Sequence, residues 1–260
     1  MIGVIDAGVA GIYIVDALLK KIPGQDIVYY SDTAHAPYGN RSAEMIIRGA
    51  LEGAEHVWRC GARILVTASH TISAVAFDAL YHRFGKTIFD AATAAAEMAI
   101  ERSHRKRIGL VASRATVESR RYEELIRARC APADIVVAAC PLWAPLVEEG
   151  WQKRRETAMV VKRGVRAIKQ RDVDTLILGS SAFVALQPVI QRKMGPQVVL
   201  VEASAGLVSR VAEHFLNREP PPAVAVNGRK VRLLVSDLTP QVVHAARLLG
   251  GGEVTLEKTA

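Results

Sequence analysis

Two apolar runs constrain this chain more than any other feature. Ile64-Leu65-Val66-Thr67 continues into Ala68-Ser69-His70-Thr71, and Thr175-Leu176-Ile177-Leu178 continues into Gly179-Ser180-Ser181-Ala182. Neither run has a 3.6-residue period. Both are rich in branched apolar residues and stop abruptly in small polar ones, so each reads as a strand buried on both faces of a parallel sheet. The carboxyl end of such a strand is where an open α/β sheet places its ligand chemistry. Two runs of this shape suggest one site lined from two sides by hydroxyl groups.

Helical and strand patterns alternate along the rest of the chain. A strand over 2–6 turns through Ala7-Gly8-Val9-Ala10-Gly11 into a helix over 12–20, which Pro23-Gly24 ends. Strands are expected over 26–30, 87–90, 135–139, 198–201 and 231–236. Helices are expected over 42–59, 72–82, 91–102, 118–129, 156–169, 205–216 and 241–249, the last two stopped by Pro220-Pro221-Pro222 and Gly250-Gly251-Gly252. The segment Arg107-Ile108-Gly109-Leu110-Val111-Ala112-Ser113 repeats the opening pattern of Ile2-Gly3-Val4-Ile5-Asp6. The chain therefore reads as a weak duplication of two βαβ series, with parallel sheets and right-handed crossovers. No linker separates independent modules, and the C-terminal part is expected to pack back on the first half.

At 260 residues, 50% hydrophobic and 23% charged, the chain can bury a substantial core. Its formal net charge of +8 permits polyanion contact. The cations cluster over 102–107, 120–129 and 153–171, interleaved with apolar residues and Glu as on a solvated helix face, and no recognition motif accompanies them. Cys60, Cys130 and Cys140 have neither metal-ligand spacing nor the number for a disulfide framework, so a reducing cytoplasm is expected. The apolar start carries Asp6, Asp16 and three glycines and lacks a basic leading region, which argues against a signal sequence or membrane span. No metal or cofactor site is read from the sequence.

Gly8 and Gly11 allow a tight turn with amides facing a ligand, yet this is not the dinucleotide fingerprint, because Asp6 stands where the first glycine belongs. A carboxylate there would repel a pyrophosphate and hold an ammonium group; its plain alternative is a cap on the following helix. The loop over 31–40 is dense in turn formers and hydrogen-bonding groups. His70 offers a general base or acid near neutral pH, against the simpler reading of a hydrogen-bonded structural histidine.

Six segments stand out in order: Ile2–Gly11, Asp32-Thr33-Ala34 with Pro37-Tyr38-Gly39, Ala68–Thr71, Ala115-Thr116-Val117, Ala139–Leu142 through Pro145–Gly150, and Leu178-Gly179-Ser180. Together they resemble the glutamate racemase family. The resemblance implies two pseudo-symmetric parallel-sheet α/β domains with the site between them. They are expected over 1–92 plus 207–260 and over 93–206, in a protein that commonly forms homodimers. It also implies a substrate-binding set of Asp6, Tyr38, Gly39, Thr71, Thr116 and Glu149, with Ser181 a partial replacement for a threonine.

The departures from the family pattern bear on catalysis. Members carry Cys-Asn-Thr where this chain has Ser69-His70-Thr71, Cys-Thr-His where it has Ser180-Ser181-Ala182, and Ser where it has Ala7. One family thiolate removes the Cα proton and the opposite thiol returns one to the other face. Hydroxyls at Ser69 and Ser180 are far less acidic than thiols, so ordinary racemisation is expected to be lost or reduced to a trace. The leading expectation is a racemase-like protein that keeps a cleft for a small carboxylate or amino acid. A second is a repurposed isomerase, lyase or hydrolase using Ser69, His70 and Asp6, although neither serine has a recognisable triad partner. A third is implied by the resemblance, since some glutamate racemases also inhibit DNA gyrase: a basic protein contacting gyrase or nucleic acid.

Overall fold

The computed structural model describes every residue except 23, 217–229, 248, 250–252 and 260. Ten strands are present among the described residues: β1 (Ile2–Asp6), β2 (Ile27–Ser31), β3 (Ile64–Thr67), β4 (Ile88–Asp90), β5 (Arg107–Ala112), β6 (Asp134–Ala139), β7 (Thr175–Gly179), β8 (Val199–Val201), β9 (Lys230–Val235) and β10 (Glu253–Lys258). They form two all-parallel sheets, in the orders β10-β9-β2-β1-β3-β4 and β6-β5-β7-β8. The core orders β2-β1-β3-β4 and β6-β5-β7-β8 are the same arrangement twice, so the duplication read from the sequence is a duplication of topology. The molecule is thus two parallel-sheet α/β domains.

The strands β1, β3 and β7 are buried along their whole length, as expected of sheets covered on both faces. The helix Ala91–Arg102 follows β4 directly and contributes Ala91, Ala92, Ala94, Ala95, Ala96 and Ala99 to a core shared by both sheets. Its alanines let it lie close to the helices Arg121–Arg129 and Ser204–Leu216 at once. Two further cores cover the outer faces, one under the helix Ala43–Arg59 and one around Trp143 and Phe183. No helix among the described residues is long and apolar enough to cross a membrane.

Several elements differ from expectation for local reasons. The helix expected over 118–129 is two, Arg114–Glu118 and Arg121–Arg129, with Arg120 between them at φ +56°. The helix expected over 72–82 begins earlier, at His70, and breaks at Ala76 into His70–Val75 and Phe77–Phe84. That expected over 156–169 is likewise two, Arg155–Gly164 and Arg166–Gln170. The strand β10 was not expected. It alternates charged and apolar residues, placing Val254 and Leu256 against the core beside solvated Glu257 and Lys258, the pattern of an edge strand. The stop signals at Pro23, Pro220–Pro222 and Gly250–Gly252 lie outside the described residues.

Candidate functional site

A cavity of about 710 Å3 opens between the carboxyl edges of the two sheets. Its walls include Asp6 at the end of β1, Ser69 beyond β3, Ser113 beyond β5 and Ser180 beyond β7. In each sheet these strands flank the point where the strand order reverses, the place where an open α/β sheet leaves a crevice.

Asp6 is 4% exposed. The amides of Ala7 and Gly11 donate to its carboxylate at 2.8 and 2.7 Å, and the Tyr29 hydroxyl lies 3.1 Å away. Burial pushes its carboxyl up to about 6, against the opposing pull of these hydrogen bonds. Gly11 is required for this approach: a Cβ there would stand 2.7 Å from Oδ2 of Asp6 and 2.8 Å from Cβ of Ala68. Asp6 therefore pins the turn that leads into the helix Ile12–Lys21, whose N-cap residue is Gly11, and also lines the cavity.

The loop after β2 is organised by Asp32, a residue whose role the sequence left unread. Its carboxylate accepts from the Tyr38 hydroxyl at 2.6 Å and the Ser236 hydroxyl at 2.7 Å, and lies 2.9 Å from Nδ1 of His35. Burial pushes the Asp32 carboxyl up, but these three partners outweigh it and hold it below its ordinary value. Tyr38 lines the cavity, yet its hydroxyl is engaged by Asp32. Gly39 approaches the second sheet: a Cβ on it would stand 2.6 Å from Cβ of Ser113. Gly39→Ala is therefore expected to destabilise the protein by roughly 1–3 kcal/mol through overpacking, measured by urea unfolding; an unchanged midpoint would show that the two edges part freely.

Three hydroxyls join the domains behind this contact. Thr71 Oγ1 lies 3.0 Å from Ser113 Oγ and 3.2 Å from Thr116 Oγ1, and the last two are 2.9 Å apart. Thr71 and Ser113 face the cavity, whereas Thr116 is fully buried outside its wall. Ser69 caps the helix His70–Val75 by accepting from the Ile72 amide at 3.3 Å. Ser180 heads the 3-10 turn Ser181–Leu186 without such a capping bond. Ser181 also lines the wall, and Glu149 is exposed on it beside Glu148, whose carboxyl is raised by burial and by the charge of Glu149. The one thiol on the wall, Cys140, is buried, and burial pushes it up to about 12.

His70 is not on the cavity wall. It is 4% exposed and shares a hydrogen bond through Nδ1 with the hydroxyl of Tyr122, on the helix Arg121–Arg129. Burial lowers its pKa to about 4. The helix that begins at His70 turns its side chain toward the second domain while Ser69 faces the cavity. Sequence reasoning missed Ser113, together with Thr239, Pro240 and His244 of the C-terminal segment, which also line the cavity. Ser113 stands in the repeated opening pattern where Ala7 stands in the first copy, a signal that was available. The C-terminal residues carry no local signal, because only the return of β9 to the edge of β2 brings them there. Among the described residues, no three His, Cys, Asp or Glu side chains are grouped to hold a metal ion.

A family model described as Asp/Glu/Hydantoin racemase matches residues 2–208. The chain belongs to this family. Within the family, it is 30% identical over 259 residues to the glutamate racemase of Chlorobaculum tepidum, covering 97% of this chain and 93% of that protein. Glutamate racemase isoform RacE1 from Bacillus anthracis matches its fold with a TM-score of 0.92 at 24% identity, over 100% of this chain and 97% of that one. The Francisella tularensis glutamate racemase crystallised with D-glutamate gives 0.90 at 23% identity, over 100% and 97%. The two-domain α/β architecture is thus that of the racemase family.

Proposed function

We propose that the cleft binds a small amino acid, with the ammonium group on Asp6, and does not exchange its Cα hydrogen by the two-thiol route. One observation carries this reading: the cavity presents hydroxyls at Ser69 and Ser180, and its only thiol, Cys140, is buried and held far from ionisation at neutral pH. The wall includes the carboxylates of Asp6, Glu148 and Glu149 and, among the described residues, no Lys or Arg. A ligand carboxylate is then met by neutral donors such as the hydroxyls of Thr71, Ser113, Ser180 and Ser181, and the positive end of the ligand is met by charge. That a glutamate racemase of this fold was crystallised in complex with D-glutamate agrees with an amino acid as the ligand.

The protonation of Asp6 provides the test. An ammonium ligand requires the ionised carboxylate, and with a pKa of about 6 the ionised fraction falls roughly tenfold from pH 7 to pH 5. Calorimetric titration with a panel of amino acids is expected to show affinity dropping about tenfold over that range. A 2-keto acid of matching shape should not follow the trend, and Asp6→Asn should abolish it. A pH-independent affinity for the amine ligands, or no binding anywhere in the panel, would remove the reading.

A further inference from the structure

Most of the net charge of this chain falls in one segment of the second domain. Between Lys153 and Arg171 eight cations stand against the single carboxylate of Glu156, in a chain whose formal net charge is +8. The helices Arg155–Gly164 and Arg166–Gln170 bury Thr157, Val161, Val165 and Ile168, and this inward face leaves every one of those cations exposed. Arg155 and Lys162 are seven residues apart, close to two full turns, and so lie on the same side of their helix. The neighbouring helix Gln187–Met194 packs against Arg155–Gly164 and adds exposed Arg192.

Of these eight, Arg171 pairs with Asp134 and Lys169 Nζ donates to the Lys193 carbonyl, and the other six have no carboxylate partner among the described residues. Several arginines elsewhere are paired locally: Arg59 and Arg83 with Glu55, Arg105 and Arg107 with Asp172, Arg129 and Arg210 with Glu97, Arg232 with Glu257. Among the described residues, none of Lys153, Arg154, Arg155, Lys162, Arg163 and Arg166 takes part in an ion pair. A solvated helix face interleaved with Glu, the arrangement the sequence suggested, would have paired them. Concentrated like charge is unfavourable to the folded chain, and a polyanion relieves it. The patch is also mostly arginine, whose planar fork matches phosphate oxygens two at a time. At its edge the Arg154 guanidinium lies 4.3 Å from the centre of the Trp151 ring, and Trp151 is 36% exposed. A cation stacked on an accessible aromatic is a surface on which unpaired bases stack.

We propose that this face binds nucleic acid through the phosphate backbone, with single strands gaining an added stacking contact at Trp151. The occupant is identified by charge complementarity and by the aromatic at the edge of the patch, and the binding is independent of the cleft and its ligand.

The test is fluorescence anisotropy of a labelled 20-nucleotide single strand and its duplex against the full chain, across a salt series. Neutralising Arg155→Gln, Lys162→Gln and Arg166→Gln together is expected to weaken binding at least tenfold and to reduce the slope of log K against log salt by about three. The control Lys20→Gln, Arg59→Gln and Arg83→Gln removes the same charge from exposed, paired positions and is expected to change affinity less than threefold. Oligonucleotide quenching of tryptophan emission should disappear in Trp151→Phe. Equal losses in the two triple variants, absence of binding at low salt, or tighter binding to vesicles containing anionic phospholipid than to either oligonucleotide would each overturn the proposal.

Discussion

Wild-type protein incubated with L- or D-glutamate in heavy water is expected to leave the Cα hydrogen in place, and Ser69→Cys with Ser180→Cys is expected to raise exchange at least about 100-fold. A thiol of ordinary pKa near 8.5 supplies a usable thiolate at neutral pH, and a hydroxyl is several units less acidic. Each unit corresponds to about 1.4 kcal/mol, so two units already account for a factor of about 100. The two serines occupy matching places at the carboxyl ends of β3 and β7, on the wall of one cavity. Either single substitution should support exchange of one enantiomer only, since one face would have a thiolate and the other still a hydroxyl. Interconversion requires both. Proton NMR of the Cα signal separates exchange from interconversion. Rapid interconversion by the wild type would refute the claim about the hydroxyls. Failure of a double variant that still binds glutamate would refute the claim about the cavity.

The second large effect concerns His70 and has the opposite character, since it is structural. The unfolded chain protonates this ring at its ordinary value of 6.5, whereas burial holds the folded value near 4. Stability from this side chain is therefore complete above pH 6.5 and declines as the pH falls toward 4. The decline between pH 7 and pH 4 amounts to about 3 kcal/mol, a large fraction of the stability of an ordinary domain. His70→Asn keeps a short hydrogen-bonding side chain near the Tyr122 hydroxyl and removes the titration. Urea unfolding of the two proteins at pH 7, 6, 5 and 4 should give curves that diverge by that amount at the acid end. Parallel curves would mean that the ring is hydrated and that the contact with Tyr122 is dispensable. Because that contact joins the helices His70–Val75 and Arg121–Arg129, loss of acid stability should be accompanied by loosening between the domains.

The sequence made the architecture legible because buried parallel strands are written as continuous apolar runs, and two such runs ended in the same kind of residue. It made the cavity wall legible in part. Asp6, Ser69, Thr71 and Ser180 sit at strand ends, where position alone assigns them to the crevice. What it could not convey was direction. Ser69 and His70 are adjacent, yet the helix that starts there sends one into the cavity and the other into the domain contact. Nor could it convey engagement: Tyr38 stands on the wall with its hydroxyl taken by Asp32, and Thr116 lies just behind the wall. The strand β10 was hidden by its charges, which belong to an edge and resemble a solvated tail.

The pairing of β9 with β2 has a consequence for biosynthesis. The outer edge of β2 acquires its neighbour only when residues 230–235 emerge, some two hundred residues after β2 itself has left the ribosome. Throughout that interval the nascent N-terminal half exposes a row of unsatisfied amides and carbonyls, the template on which chains add to one another. The second sheet has no such debt, since β5 to β8 follow one another without interruption. A ribosome paused before residue 230 would thus hold one finished half-molecule and one that is still vulnerable to aggregation.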